Sequence, residues 1–341
     1  MSLDLPTIWA GLIAMAVLFY VLLDGFDLGV GILFPIAHSR EDRDVMMNSI
    51  APFWDGNETW LVLGGGGLLA AFPGAYSVLM PAFYLPILLM LAGLIMRGVA
   101  FEFRFKGRKH GRTFWTQMFA GGSILAALAQ GLVLGGFING VKVVDGKFAG
   151  GAFDWLTPYT ILVALGLMAG YALLGACWLI WKTETKLHSD ARRWARWLAM
   201  LVAAFLGAVS LATLMTHPQV ASRWGWDGGL HLDRFLPLSP IPLLGLVGLT
   251  TIGLGLAWKS HRWPFGGALL VFLSGYLGLA VGFAPHTVPY ALDIHQTAAP
   301  DNALAFMLVG AAIAVPLILA YTAWVYWVFR GKVTAESGYD H

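Results

Sequence analysis

Apolar positions along this chain gather into nine long runs, separated by short polar connections. The runs are Ile8–Phe34, Ala51–Phe72, Tyr76–Ala100, Phe114–Phe137, Pro158–Trp181, Trp194–Thr216, Pro240–Trp258, Pro264–Pro285 and Ala303–Phe329. A helix needs about 20 apolar residues to cross the hydrocarbon core of a bilayer, and each run meets or approaches that length. Helices are the expected form, because lipid offers no partner to an unpaired backbone amide. The period-2 alternation of a membrane barrel is absent. The pattern therefore predicts an all-α integral membrane protein with nine transmembrane helices, forming a single transmembrane domain over residues 1–341 without a folded soluble insert.

Composition sharpens this picture. Of 341 residues, 58% are hydrophobic and only 12% charged, against about 25% charged in a soluble domain. Such a chain cannot cover its own surface with polar groups, so its surroundings are membrane lipid. Trp9, Trp60, Trp115, Trp155, Trp194, Trp258 and Trp263 fall at or near run ends, as an interfacial aromatic belt requires. The single cysteine, Cys177, excludes an internal disulfide framework. The first run lacks a basic leader and a small-residue cleavage site, so it is read as a retained span.

Charge placement sets orientation. Sixteen basic residues fall in connections on one side of the nine-span arrangement and four on the other (Lys142, Lys147, Arg223 and Arg234), with Arg97 inside the third span. Positive residues stay cytoplasmic, so the amino terminus is expected outside and the carboxyl terminus inside. A net charge of +2 gives no indication of nucleic-acid binding.

Against this background the acids stand out. "DGFDLGVG" carries Asp24 and Asp27, and "WDGNETW" carries Asp55 and Glu58. At 1.5 Å per residue, Asp24 and Asp27 lie roughly 12 to 18 Å from the cytoplasmic end of their helix, and Asp55 and Glu58 about 6 to 10 Å in. An isolated charged acid near mid-membrane costs about 2.5–3.5 kcal/mol. Each pair is spaced i,i+3 and shares a helix face. The two faces could meet, share protons and line a wet cleft open to the cytoplasm. Arg97, Glu102 and Lys106 add charges at the same inner level, Glu102 and Lys106 in the favourable i,i+4 order. Stacked carboxyls suit proton uptake, since each can hold and pass a proton. The plainer alternative is that they only hydrogen-bond neighbouring helices or a partner subunit, with Glu102 and Lys106 an ordinary helix-end pair. Trp54 and Asn57 flank Asp55 and either orient it or simply pack.

The nine histidines all fall in connections, at span ends or in the tail, so the facing axial ligands that hold a haem between helices are not expected here. There is also no phosphate-binding loop, paired-cysteine motif or metal-ligand cluster.

Four stretches, "DGFDLGVG", "NSIAPFWDGNETWLVLGGGGLLAAFP", "RGVAFEFRFK" and "AAPDNALAFMLVGAAIAVPLILAYTAWVYWVFRGK", resemble subunit II of the cytochrome bd-type quinol oxidases. The similarity runs from end to end, and the second stretch looks closest to the cyanide-insensitive branch. The resemblance implies two four-helix bundles plus one peripheral helix, packed against a haem-bearing subunit I in the bacterial cytoplasmic membrane. Small single-helix accessory subunits are common in the family. It implies that the complex oxidises ubiquinol or menaquinol and reduces dioxygen to water. Two haems b and haem d would belong to subunit I, with no cofactor ligated by this chain, although a structural quinone occurs within this subunit in some relatives. A cytoplasmic proton path would use the aspartate of the WDGN motif, Asp55, with Glu102 and Lys106. Glu102 stands where some members have aspartate, and Asp27 matches the second aspartate of the DGFD motif. Trp60 would correspond to a residue beside a hydrophobic oxygen channel, with Trp54 and Asn57 on the same helix at that channel or interface. The expected function is a non-haem subunit that supports subunit I and supplies its protons. The alternatives are a proton-coupled secondary transporter and a purely structural scaffold.

Overall fold

The computed structural model describes residues 4–106, 109–184 and 186–334, with the side chains of residues 105, 106, 109 and 110 outside the description. Helix α1 spans Leu5–Leu33. Asp4 caps it, its Oδ1 accepting from the Thr7 amide at 2.9 Å, and Pro6 sits in the first turn, where no amide donor is needed. A short 3-10 turn, Phe34–Ile36, leads into α2, Arg40–Ile50. The sequence reading treats this segment as a connection. It is an eleven-residue helix, too short to register as a span, and it starts at a capping box between Ser39 and Asp42. Its second half, Val45 to Ile50, is buried.

The second run, Ala51–Phe72, holds a single helix, whereas the third divides differently from its hydropathy. Helix α3, Trp54–Ala71, stops at Phe72 because Pro73 follows and disfavours helical backbone before it. Helix α4, Pro73–Ala82, leaves at a bend of 120°. The chain breaks again at Phe83, and α5 runs Tyr84–Lys106. The run expected from Tyr76 to Ala100 is thus two elements, the second beginning at Tyr84 and ending six residues later than its apolar stretch.

Helix α6 (Lys109–Asn139) is followed by a hairpin of β1 (Val143–Val144) and β2 (Lys147–Phe148). Asp145 and Gly146 form its turn with φ of 50° and 72°, the left-handed pair a two-residue hairpin favours. Then come α7 (Pro158–Lys182), α8 (Lys186–Thr216), α9 (Pro218–Arg223), α10 (Leu232–Leu238), α11 (Pro240–Ala257) and α12 (Trp263–Phe283). A second small hairpin, β3 (His286–Val288) with β4 (Leu292–Asp293), precedes α13 (Ile294–Thr297) and α14 (Asp301–Val328). Among the described residues, α1, α5, α6, α7, α8, α11, α12 and α14 are each long and apolar enough to cross a membrane, and the bent α3–α4 pair can supply a ninth crossing.

Helix α1 is the hub, touching α3, α6, α7, α12 and α14. Its approach to α7 is closest at Gly29, where an added Cβ would lie 1.8 Å from the Tyr171 carbonyl oxygen; Gly175 faces it from α7. Two bare backbones let the helices close to a distance that side chains would forbid. Beside this contact an aromatic group joins four elements: Phe26 stacks on Trp178 at 4.1 Å, and Phe53 stacks on Tyr326 at 4.5 Å. The Lys182 ammonium lies 5.4 Å from the Phe53 ring centre and 5.0 Å from that of Trp178. It donates to the carbonyls of Phe329 and Gly331, fastening the end of α14 to the end of α7.

Candidate functional site

The last turns of α1 carry Asp24 and Asp27 inward, both with no solvent exposure. Opposite them, α5 presents Arg97, which is 1% exposed. Arg97 Nη2 donates to Asp24 Oδ1 at 2.6 Å and also to Glu58 Oε1 from α3. One guanidinium thus joins acids from two helices. Asp27 makes a separate contact: its Oδ2 accepts from Asn57 Nδ2 at 2.7 Å, and the same nitrogen donates to the Leu23 carbonyl at 3.2 Å. Asn57 Oδ1 accepts from the Tyr326 hydroxyl of α14 at 3.1 Å.

Helical rotation explains why i,i+3 partners diverge. Three residues at about 100° each leave the second side chain about 60° behind the first. Asp24 and Asp27 accordingly straddle two neighbours, α5 and α3. Glu58 meets Arg97, whereas Asp55 is exposed at the start of α3. The residues expected to meet as two acidic faces are instead split between an inner group (Asp24 and Asp27 fully buried, Glu58 part-buried) and an outer position (Asp55).

That outer position lines a cleft of about 440 Å³ wrapped around the first turn of α3. Asp55, Trp54, Asn57, Glu102 and Tyr326 all contribute to its walls. Glu102 is exposed there, and the Lys106 side chain lies outside the described residues. An acid in the first turn of a helix also answers the positive end of its dipole. Trp54 packs on Phe101 with ring centres 5.2 Å apart. Trp60, two turns further in, is fully buried 4.8 Å from Phe19 and beside Ala16 and Tyr20.

Deeper still, Gln130 of α6 bridges two tyrosines: its Nε2 donates to Tyr20 Oη at 2.6 Å, and its Oε1 accepts from Tyr171 at 2.9 Å. Asp24 Oδ2, Asp27 Oδ1 and Arg97 Nε and Nη1 meet no hydrogen-bond partner among the described residues. Buried polar atoms are ordinarily satisfied, so the cluster keeps capacity for further hydrogen bonds. It contains three carboxyls and one guanidinium, and is electrically neutral when two of the carboxyls carry a proton. Among the described residues no three His, Cys, Asp or Glu side chains converge where they could hold a metal ion.

The profile of the cytochrome bd terminal oxidase subunit II family matches residues 5–329. The chain belongs to this family. It is 29% identical to cytochrome bd-I ubiquinol oxidase subunit 2 of Escherichia coli K12, over 97% of this chain and 95% of that one. Cytochrome bd ubiquinol oxidase subunit 2 of Bacillus subtilis is 26% identical, over 98% of both chains. Among solved structures, a chain of the bd oxidase from Geobacillus thermodenitrificans superposes with a TM-score of 0.73 at 15% identity, covering 95% of this chain and 98% of that one. This likeness carries the fold. Family membership makes the chain a membrane-embedded subunit of a quinol oxidase complex.

The site also includes residues beyond those singled out by motif. Arg97 was visible in the sequence as a lone cation in an apolar run, the signal that a buried acid must balance it. Tyr326, Tyr20, Tyr171 and Gln130 gave no such signal. Tyr326 sits in "TAWVYWVF" beside Trp324 and Trp327, which are exposed, and an aromatic-rich helix end reads as an interfacial belt.

Proposed function

We propose that this chain delivers cytoplasmic protons to oxygen chemistry in a haem-bearing subunit I, which it also supports structurally. The observation that carries the reading is the succession of polar groups from the cleft at Asp55 and Glu102, past Tyr326 and Asn57, to Asp27, with the separate Asp24–Arg97–Glu58 group one turn away on α1. Reducing dioxygen to water consumes a proton with every electron, so the site of reduction needs a supply. Asp55 and Glu102 collect protons at the wet rim. The buried carboxyls hold them in a region where an uncompensated charge is costly. Arg97 fixes one carboxylate and lets the cluster gain or lose protons around a constant positive centre. Lys106, one turn beyond Glu102, belongs to the collecting rim by its place in the sequence.

The haems b and d belong to subunit I, where they supply the electron transfer and oxygen binding. Among the described residues, His188 and His261 lie ring to ring at 4.8 Å, His217 packs between Tyr159 and Tyr290, and His295 pairs with Asp4, contacts that suit helix-end packing. Ubiquinol or menaquinol is oxidised by the assembled complex. The buried indole of Trp60 lies beside the dioxygen route, with Trp54 and Asn57 nearer the rim. The cleft faces the cytoplasm, with the amino terminus outside, because basic connections gather on that side. The helices form one transmembrane unit of two four-helix groups, with α14 peripheral.

The test is turnover of the assembled oxidase carrying Asp55→Asn or Asp27→Asn. Several-fold slower oxygen consumption with an intact visible haem spectrum supports proton delivery. Undiminished consumption in both variants favours a purely structural scaffold. Proton-coupled solute uptake by the chain alone would favour a transporter.

A further inference from the structure

Between the cleft and the buried Asp27 carboxyl stands a single amide. Asn57 is 2% exposed and occupied at both ends: Nδ2 donates to Asp27 at 2.7 Å, and Oδ1 accepts from Tyr326 at 3.1 Å. We propose that Asn57 is a proton gate, latched shut by the Tyr326 hydroxyl. The inference rests on the reading of these acids as a proton path and adds the element that controls passage along it.

The chemistry of an amide gives the reason. A proton can cross a fixed asparagine only by binding to Oδ1 while another leaves from Nδ2 to the Asp27 carboxylate. Charge and atoms balance, but the product is the imidic acid tautomer, whose C–O and C–N bond orders are exchanged. It must be reversed before a second proton can pass. A carboxyl, a hydroxyl or water has no such penalty, since either oxygen lone pair accepts as the other position donates. In the observed geometry the amide is therefore an insulator. When it turns away from Asp27, the carboxyl is opened to the cleft that Asn57 itself lines.

The latch is placed by the far end of the chain. Tyr326 lies on α14, and its ring is held by stacking on Phe53 at 4.5 Å and by an edge contact with Phe26 at 6.4 Å. Three residues further along, Lys182 grips the Phe329 carbonyl. Tyr326 is thus a positioning residue that acts through Asn57. Its ring contacts survive in Tyr326→Phe, so that variant removes the hydroxyl alone.

The experiment follows hydrogen–deuterium exchange of buried carboxyl groups by infrared spectroscopy, in the purified complex of this chain with its haem-bearing partner after transfer to D₂O. Asp27→Asn identifies the Asp27 carbonyl band by its loss. In the unmodified complex that band is expected to shift slowly. In Tyr326→Phe it should shift about fivefold faster, the factor that one net hydrogen bond sets in a local opening equilibrium. Asn57→Ser, which puts a proton-carrying hydroxyl in place of the amide, should exchange at least as fast. Absence of a protonated Asp27 band, or equal rates in all three proteins, overturns the gate. If Asp55→Asn and Asp27→Asn slow oxygen consumption while the exchange rates stay equal, the gate alone falls. If neither variant slows oxygen consumption, the proton path falls with it.

Discussion

Replacing Arg97 by methionine probes the balance of charge inside the bundle. The guanidinium is 1% exposed and sits 2.6 Å from an Asp24 carboxylate that is fully buried. At that distance an effective dielectric constant of about 20 gives an attraction of roughly 6 kcal/mol. Desolvation of two buried ions costs several kcal/mol each, so the intact pair contributes little net stability. Removing one partner is different, because the other is left buried without compensation, at a cost of about 3–5 kcal/mol. The expected loss for Arg97→Met is in that range, read by denaturant titration of tryptophan fluorescence in mixed detergent. Neutralising its two partners should return most of it: Arg97→Met with Asp24→Asn and Glu58→Gln leaves only Asp27, which is uncharged when it carries its proton. The reasoning is refuted if Arg97→Met alone is as stable as the parent, or if the triple variant is no better than the single one.

Other consequences are sharper in sign than in size. Gly29→Leu would drive a side chain into the Tyr171 carbonyl, where even a Cβ falls 1.8 Å away; overpacking costs typically about 1–3 kcal/mol or more, and the yield of assembled complex in membranes should fall sharply. At the opposite end of α1, His295 Nε2 lies 2.8 Å from Asp4 Oδ2. This hydrogen bond raises the imidazole above its ordinary value, while hydrogen bonding by Thr7 and then by His295 holds the Asp4 carboxyl below the usual range. The histidine's part of this tie is fully present below the ordinary histidine value and is lost as pH rises through the raised one. Asp4's part is lost only as pH falls through its depressed value. Asp4→Asn should return His295 to ordinary titration in an NMR histidine experiment, and an unchanged midpoint would contradict the assignment.

The helical membrane fold was legible because burial in lipid imposes long apolar runs, and such runs survive any detail of packing. What hydropathy could not locate were the breaks. The turn at Phe83 divides the run from Tyr76 to Ala100 without changing its character, and α2 is a short capped helix too polar to register. In the site, the acids were legible as chemistry out of place. Their partners were not, because pairing crosses the chain: Arg97 is 73 residues from Asp24, and Tyr326 is 269 from Asn57. The divergence of Asp55 from Glu58 depends on which neighbour each helix face meets, and sequence spacing alone does not say. Only rotation within the packed bundle assigns one to the rim and the other to Arg97.

The most direct measurement is proton uptake from the cytoplasmic side during a single round of dioxygen reduction, followed with a pH-indicator dye in the oxidase reconstituted into vesicles. With Asp55→Asn or Asp27→Asn in this chain, the account predicts that proton uptake slows several-fold while electron transfer into the haems keeps its initial rate. Uptake at the parent rate in both variants would contradict it.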